Sequence, residues 1–298
     1  MSWAEVKYAL NGSLGTGTFT SLDKMLIANS LMSNNDAQID WAFRQYGVGG
    51  ALNAAFGLNS TALAACNTVN EIAASTAAIN AIKTNSEAVA LCCKNSVLIQ
   101  KFPNEAIIAA GSGYMKFNVG NVVTLNCGGN ATTFRVVHKN YLTQNKIVLL
   151  TEDCAFQKEW NPAISNNYST STIREYLNST VLNGFSQKIQ NAITTPDLQC
   201  HDYKTEKTLN DKIWLPSYRE MGYSDSQYAP VEGSAFKYYE GADDSKRIKK
   251  FNNKAVYWWM RTPYTNGDLE YAWYVRSDGG SSRGSVTSSN GVAFALEI

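Results

Sequence analysis

Residues Tyr257–Ile298 read YWWMRTPYTNGDLEYAWYVRSDGGSSRGSVTSSNGVAFALEI, and this stretch decides the fold. Three turn signals, TNGD, SDGGS and SSNGV, are of the kind that close hairpins. Between them stand LEYAWYVRS and RGSVTSS, so antiparallel strands are expected here. Alternation sets Tyr271, Trp273 and Val275 on one face and Ala272, Tyr274 and Arg276 on the other. Just upstream, Trp258 and Trp259 point to opposite faces of one strand, and both are expected in the core. Arg261 lies in the same strand. A buried arginine must be paired, so a structural salt bridge is expected there rather than a ligand contact.

Working back from this stretch, NVVTLNC, TTFRVVHKN and NKIVLLTED are short β-rich runs separated by GGN and YLTQN, the grammar of an antiparallel meander. Thr172 and Glu175 in STSTIREYLNSTVLNGF read as a capping box, with Ile173, Tyr176 and Leu177 on one helical face. SQKIQNAI gives a second short helix, with Phe185, Ile189 and Ile193 in register. Ser217 and Glu220 repeat the capping-box signature. The charge-rich run from Glu240 to Lys254 reads as a solvated loop.

The first third has another grammar. Leu58–Ala110 contains no glycine, and the first proline of the chain is Pro103. Alanine without helix breakers favours helix. A loose repeat runs through it: NSTALAAC, NTVNEIAA, STAAINAI, TNSEAVAL, KNSVLI. Leu63, Val69, Ile72, Ile79, Ile82, Val89 and Val97 trace a thin apolar stripe. So thin a stripe is marginal alone in water, and burial against copies of the same chain is expected for residues from about 20 to 118. The alternative is an intramolecular bundle with SLDKMLIANSLM and AQIDWAFRQYG. The fold class is therefore α+β: a helical region, residues 1–118, and a β-rich head, residues 119–298, with the change of grammar near Phe117–Gly120.

A net charge of +1 argues against electrostatic binding to nucleic acid or an anionic membrane. MSWAEVKYAL lacks a basic start followed by an apolar stretch, and no run of about 18 apolar residues suggests a membrane span. Synthesis in a cytoplasm without a signal peptide is expected, and the six cysteines are expected reduced. Cys200-His201 is the single Cys/His neighbour pair, without metal-type spacing, so no metal or other cofactor is expected. His138 and His201 lie in no nucleophile motif. Glu152-Asp153 and Asp243-Asp244 are the available paired carboxylates, but adjacent strand residues point oppositely and the second pair sits in a charged run. No enzyme activity is expected.

The order of meander, two helices, LPSYREMGY, YWWMRTP and GVAFALEI resembles a bacterial and phage domain of the C-type-lectin-like superfamily. Members carry W-W-L-R-S-P and finish with G-V-R-P-A-L. Here the motifs read Trp258-Trp259-Met260-Arg261-Thr262-Pro263 and Gly291-Val292-Ala293-Phe294-Ala295-Leu296. The likeness covers about Gly120 to Ile298, and Ala293-Phe294 departs from its Arg-Pro. The calcium loop of sugar-binding C-type lectins is absent. MSWAEVKYALNGSLGT with the repeats behind it is similar to the N-terminal parts of phage tail-fibre proteins from Gram-positive hosts.

Together the resemblances imply a tail-fibre or receptor-binding protein located in the virion tail. It would be a homotrimer attached to baseplate or tail proteins through its N-terminal region. Its lectin-like head would recognise a host surface glycan or protein, without nucleic acid and without membrane insertion. The alternatives are a structural baseplate or fibre component with no receptor role, and a cell-wall hydrolase. The candidate recognition residues are Tyr264, Asn266, Asp268, Tyr271, Tyr274, Arg276, Ser282 and Arg283, on or beside the three glycine turns, in the Tyr/Ser/Asn/Arg palette of adaptable binding surfaces. Tyr274 and Arg276 rank first because they share a face next to SDGGS. Tyr271 ranks lower, because its face with Trp273 and Val275 points inward.

Overall fold

A computed structural model describes residues 41–298. The MSWAEVKYALNGSLGT and SLDKMLIANSLM segments lie outside the described residues. The chain divides into two compact units, Met1–Lys116 and Phe117–Ile298, beside the 118/119 boundary read from composition.

The first unit is a string of short helices: α1 (Trp41–Phe56, broken at Gly47), α2 (Thr61–Ala64), α3 (Val69–Ala74), α4 (Thr76–Ile82), α5 (Ser86–Cys92), α6 (Asn104–Ala109) and α7 (Gly113–Lys116). The polar residue that opens each repeat explains the pattern. Ser60 accepts a hydrogen bond from the Leu63 amide, Thr68 from Glu71, Ser75 from Ala78, and Asn85 from Glu87 and Ala88. Asn95 does the same for Val97 and Leu98 at the start of a 3₁₀ turn. The repeat is a succession of helix N-caps, each worth about 1 kcal/mol over alanine.

This geometry corrects the argument for self-association. Leu63, Val69, Ile72, Ile79, Ile82 and Val89 are all buried within the one chain, and of the seven stripe residues only Val97 is exposed. Short helices turned against each other cover a stripe that one long helix would leave open. For the described residues, the apolar stripe does not call for a second copy.

The head is α+β. One sheet has the order β1-β2-β3-β14-β7: β1 (Val122–Cys127), β2 (Asn130–Lys139), β3 (Ile147–Thr151), β14 (Ala295–Glu297) and β7 (Ile213–Trp214), antiparallel throughout. The expected meander supplies its first three strands. The second sheet runs β12-β11-β10-β13-β4: β12 (Ser281–Ser285), β11 (Tyr271–Val275), β10 (Trp258–Pro263), β13 (Ser289–Val292) and β4 (Phe156–Glu159), with one parallel pairing between β10 and β13. Two hairpins stand apart, β5 (Asp197–Asp202) with β6 (Thr205–Asn210), and β8 (Lys249–Phe251) with β9 (Lys254–Val256). Helices α8 (Thr172–Tyr176), continued by a π turn over Leu177–Val181, and α9 (Gln187–Ala192) bury Ile173, Leu177 and Ile189.

Three local expectations change. Helix α8 is capped by Ser171, whose Oγ accepts from the Arg174 amide, one residue before the expected Thr172. Ser217 and Glu220 do form the reciprocal bonds of a capping box, both 2.9 Å, but they close a turn with no helix behind it. The charge-rich run is solvated at Glu240, Asp243, Asp244, Lys246, Lys250 and Lys254, but it is not all loop. Asn252 and Asn253, at φ 50° and 62°, turn β8 into β9 in the manner of a type I′ hairpin. Arg247, in the 3₁₀ turn before the hairpin, and Lys249, in β8 itself, are buried.

Lys249 Nζ donates to the Thr151 and Glu152 carbonyls and lies 5.4 Å from the centre of the Trp258 ring. Burial lowers its ammonium from 10.5 to about 8. Between these pH values the unfolded chain holds the proton that the folded chain has released, so stability rises with pH across that window. Relative to Lys249→Met, the wild type should gain on the order of 2 kcal/mol between pH 7.5 and 10. Urea denaturation of both at each pH measures this, and a pH-independent difference would show that the ammonium stays solvated.

Candidate functional site

The recognition candidates sit on a rigid base. Every residue of β10 is buried. Trp258 Nε1 donates to the Arg247 carbonyl and Trp259 Nε1 to that of Lys158, both at 3.0 Å. Arg261 makes the salt bridge expected of it, with Glu220, and neither side chain is exposed. The guanidinium also donates to the Gln199 and Leu215 carbonyls. Glu232 lies 3.7 Å from Arg261 Nε, and Thr262 Oγ1 donates to it at 2.6 Å. These groups pin the long excursion between β7 and β8 onto the sheet.

Above this base, β10, β11 and β12 pair with Trp273 opposite Arg283 and Tyr274 opposite Ser282. This register separates the eight candidates into two groups. In the first, Arg283 donates to the Tyr264 hydroxyl at 2.6 Å, and its guanidinium carbon lies 4.6 Å from the Tyr264 ring centre and 5.4 Å from that of Tyr271. Behind Tyr264 runs a row of rings: Tyr228 at 5.3 Å, Trp273 at 5.3 Å, then Tyr218 at 4.6 Å from Trp273 and Tyr223 at 4.9 Å from Tyr218. Arg283 is exposed, and most of its N–H donors are uncommitted among the described residues. Tyr271, expected to turn inward, is half-buried and part of this group.

The same group includes the loop with the exposed Asn266 and Asp268. Buried Asn166 donates to the carbonyls of Tyr264, Asp268 and Tyr271, and the Tyr203 hydroxyl accepts from the Gly267 amide at 2.9 Å. Tyr203 itself is held at φ 53°, a backbone cost for a residue other than glycine. Asn166, Tyr203 and Tyr228 were not singled out from the sequence. No spacing marks them, because they reach this loop from distant segments.

In the second group, Tyr274 stacks on Tyr257 with ring centres 5.2 Å apart and planes 18° from parallel, and meets Trp259 edge-on. Gly284 makes room for that ring, since a Cβ there would lie 2.6 Å from Tyr274 Cε1. Tyr257 is exposed and belongs to the surface, although the sequence shows it beside two core tryptophans. Arg276, expected to anchor a ligand beside Tyr274, is exposed and ion-paired with Asp278 two residues on. Ser282 is half-buried opposite Tyr274.

The catalytic alternatives gain a clearer geometry. Glu152 and Asp153 lie beyond the end of β3, where strand alternation no longer applies, and both line one groove rather than opposite faces. Arg135 holds both Glu152 carboxylate oxygens. His201 Nδ1 faces Glu232 Oε1 at 3.4 Å, and His138 Nδ1 faces the Lys139 carbonyl. Burial raises the Cys154 and Cys200 thiols to about 12, which suppresses the thiolate a nucleophile needs. Among the described residues, no three His, Cys, Asp or Glu side chains converge on a metal position, and no helix is long and apolar enough to cross a membrane.

Residues 144–298 match a protein family described as a domain of unknown function, DUF6273. No curated protein matches the chain, and no solved structure does.

Proposed function

The chain belongs to the DUF6273 family, and from that premise we propose that its head is the receptor-recognition module of a phage or phage-derived tail fibre, with a C-type-lectin-like design. The observation that carries this reading is the first group: an exposed arginine laid over Tyr264 and Tyr271, on strands that pair, directly or through β11, with the fully buried β10. Aromatic and arginine side chains dominate binding energetics, and loss of side-chain freedom is the main cost of using them. Here the fold has already ordered them. Location in a virion tail, and attachment through the N-terminal region, rest on the sequence resemblance.

Arg283 is the variant to make, because it is exposed and outside the core. Arg283→Ala should weaken binding of the full chain to intact Gram-positive cells carrying the receptor about 30-fold, or about 2 kcal/mol, with the melting temperature unchanged. Arg276→Ala provides the comparison on the second group. Full affinity in both variants would place recognition elsewhere or leave the head a structural cap.

A further inference from the structure

We propose that the groove between the β1–β2 hairpin, the turn after β3 and helix α8 is a separate binding site for a neutral saccharide of one or two rings. The proposal does not depend on the recognition surface above, and none of the eight candidates from the sequence lines this groove. Its volume is ≈ 630 Å³, within the range of ligand clefts.

The lining joins two chemistries. Phe156 and Tyr176, edge to face at 5.2 Å, give an aromatic wall, while Thr132, Thr133 and Thr180 bring hydroxyls. A sugar ring matches both at once, with C–H faces for the rings and hydroxyls for the threonines.

The charges argue for a neutral occupant. Glu152 is paired with Arg135, Asp153 accepts the Lys250 amide at 2.8 Å, and Lys158 Nζ sits 4.9 Å from the Tyr176 ring centre. Glu152 is offset by Arg135, and the Asp153 carboxylate and Lys158 ammonium add one charge of each sign. These four groups leave no net charge to select an ion, while both carboxylates keep lone pairs able to accept sugar hydroxyls. The groove is also preformed. The Gly128 amide donates to the Gly184 carbonyl at 2.8 Å, and a Cβ on Gly184 would come within 2.9 Å of that same nitrogen. Glycine at 184 lets the hairpin end and the helix end meet, which fixes the two rims at one separation.

The test is saturation-transfer NMR on the full chain with cellobiose, maltose and N,N′-diacetylchitobiose as probes. At least one should bind saturably. Thr180→Arg and Asn130→Trp, both at exposed rim positions, should each weaken that binding tenfold or more with unchanged melting temperature. Arg283→Ala should bind the sugar as the wild type does. Failure of all three sugars to bind, wild-type affinity in both rim variants, or loss of sugar binding in Arg283→Ala would each overturn the proposal. Because Arg283→Ala reports on cell binding separately, failure of this groove and failure of the recognition surface are read from different variants.

Discussion

Arg261→Met should destabilise the head by about 3–5 kcal/mol in chemical denaturation. Arg261, Glu220 and Glu232 are all fully buried. The guanidinium meets Glu220 through two contacts, 2.5 and 2.9 Å, and no other cation is ion-paired to that carboxylate among the described residues. Methionine fills much of the volume but leaves two carboxylates without their cation, and it also strands the Gln199 and Leu215 carbonyls. Against a typical total of about 5–15 kcal/mol, such a loss decides whether the head is folded. The Glu220→Gln/Arg261→Met double variant should be less destabilised than the sum of the single changes, because one stranded charge has gone. A cost below about 1 kcal/mol for Arg261→Met would mean that water reaches the carboxylates and that the cluster is not dry.

Trp259→Ala is the second large effect, again about 3–5 kcal/mol, by a different mechanism. The indole is fully buried, so alanine leaves a cavity, and the Lys158 carbonyl loses its donor. The same ring supports Tyr274 edge-on, so the Tyr257–Tyr274 stack should loosen. A thermal melt of the variant measures the loss. An unchanged melting temperature together with lost cell binding would transfer Trp259 from the core to the ligand surface.

What the sequence made legible followed local rules. The meander, the paired tryptophans on opposite faces and the buried pairing of Arg261 each depend on alternation or on the cost of an unpaired charge. These act within a few residues and leave a pattern. The helical repeat was visible too, but its meaning was not. Ser60, Thr68, Ser75, Asn85 and Asn95 mark the starts of separate helices, and the bends between them, which no periodicity records, allow the stripe to be covered at home.

The charge-rich run misled because Arg247 and Lys249 find their acceptors in distant backbone: Met221 in one case, Thr151 and Glu152 in the other. The division of the candidate surface was hidden for a similar reason. Alternation assigns Tyr274 and Tyr271 to opposite faces. Which face meets solvent depends on Tyr257, Asn166 and Tyr203, brought there by the fold from up to about a hundred residues away.

The position of β14 bears on how the head comes into being. Residues 295–297 lie between β3 and β7, and buried Glu297 accepts from the Leu142 and Thr143 amides and from Thr194. The strand that joins the two parts of this sheet is therefore the last of its strands to leave the ribosome. While the nascent chain grows, β1 to β3 can pair as a meander, but β7 has no neighbour to dock on and the Leu142–Thr143 turn has no carboxylate to bind. Contacts across such long separations form slowly. Closure of this sheet is then expected as a late step that waits for translation of β14, and a chain truncated before residue 295 is expected to lack a folded head.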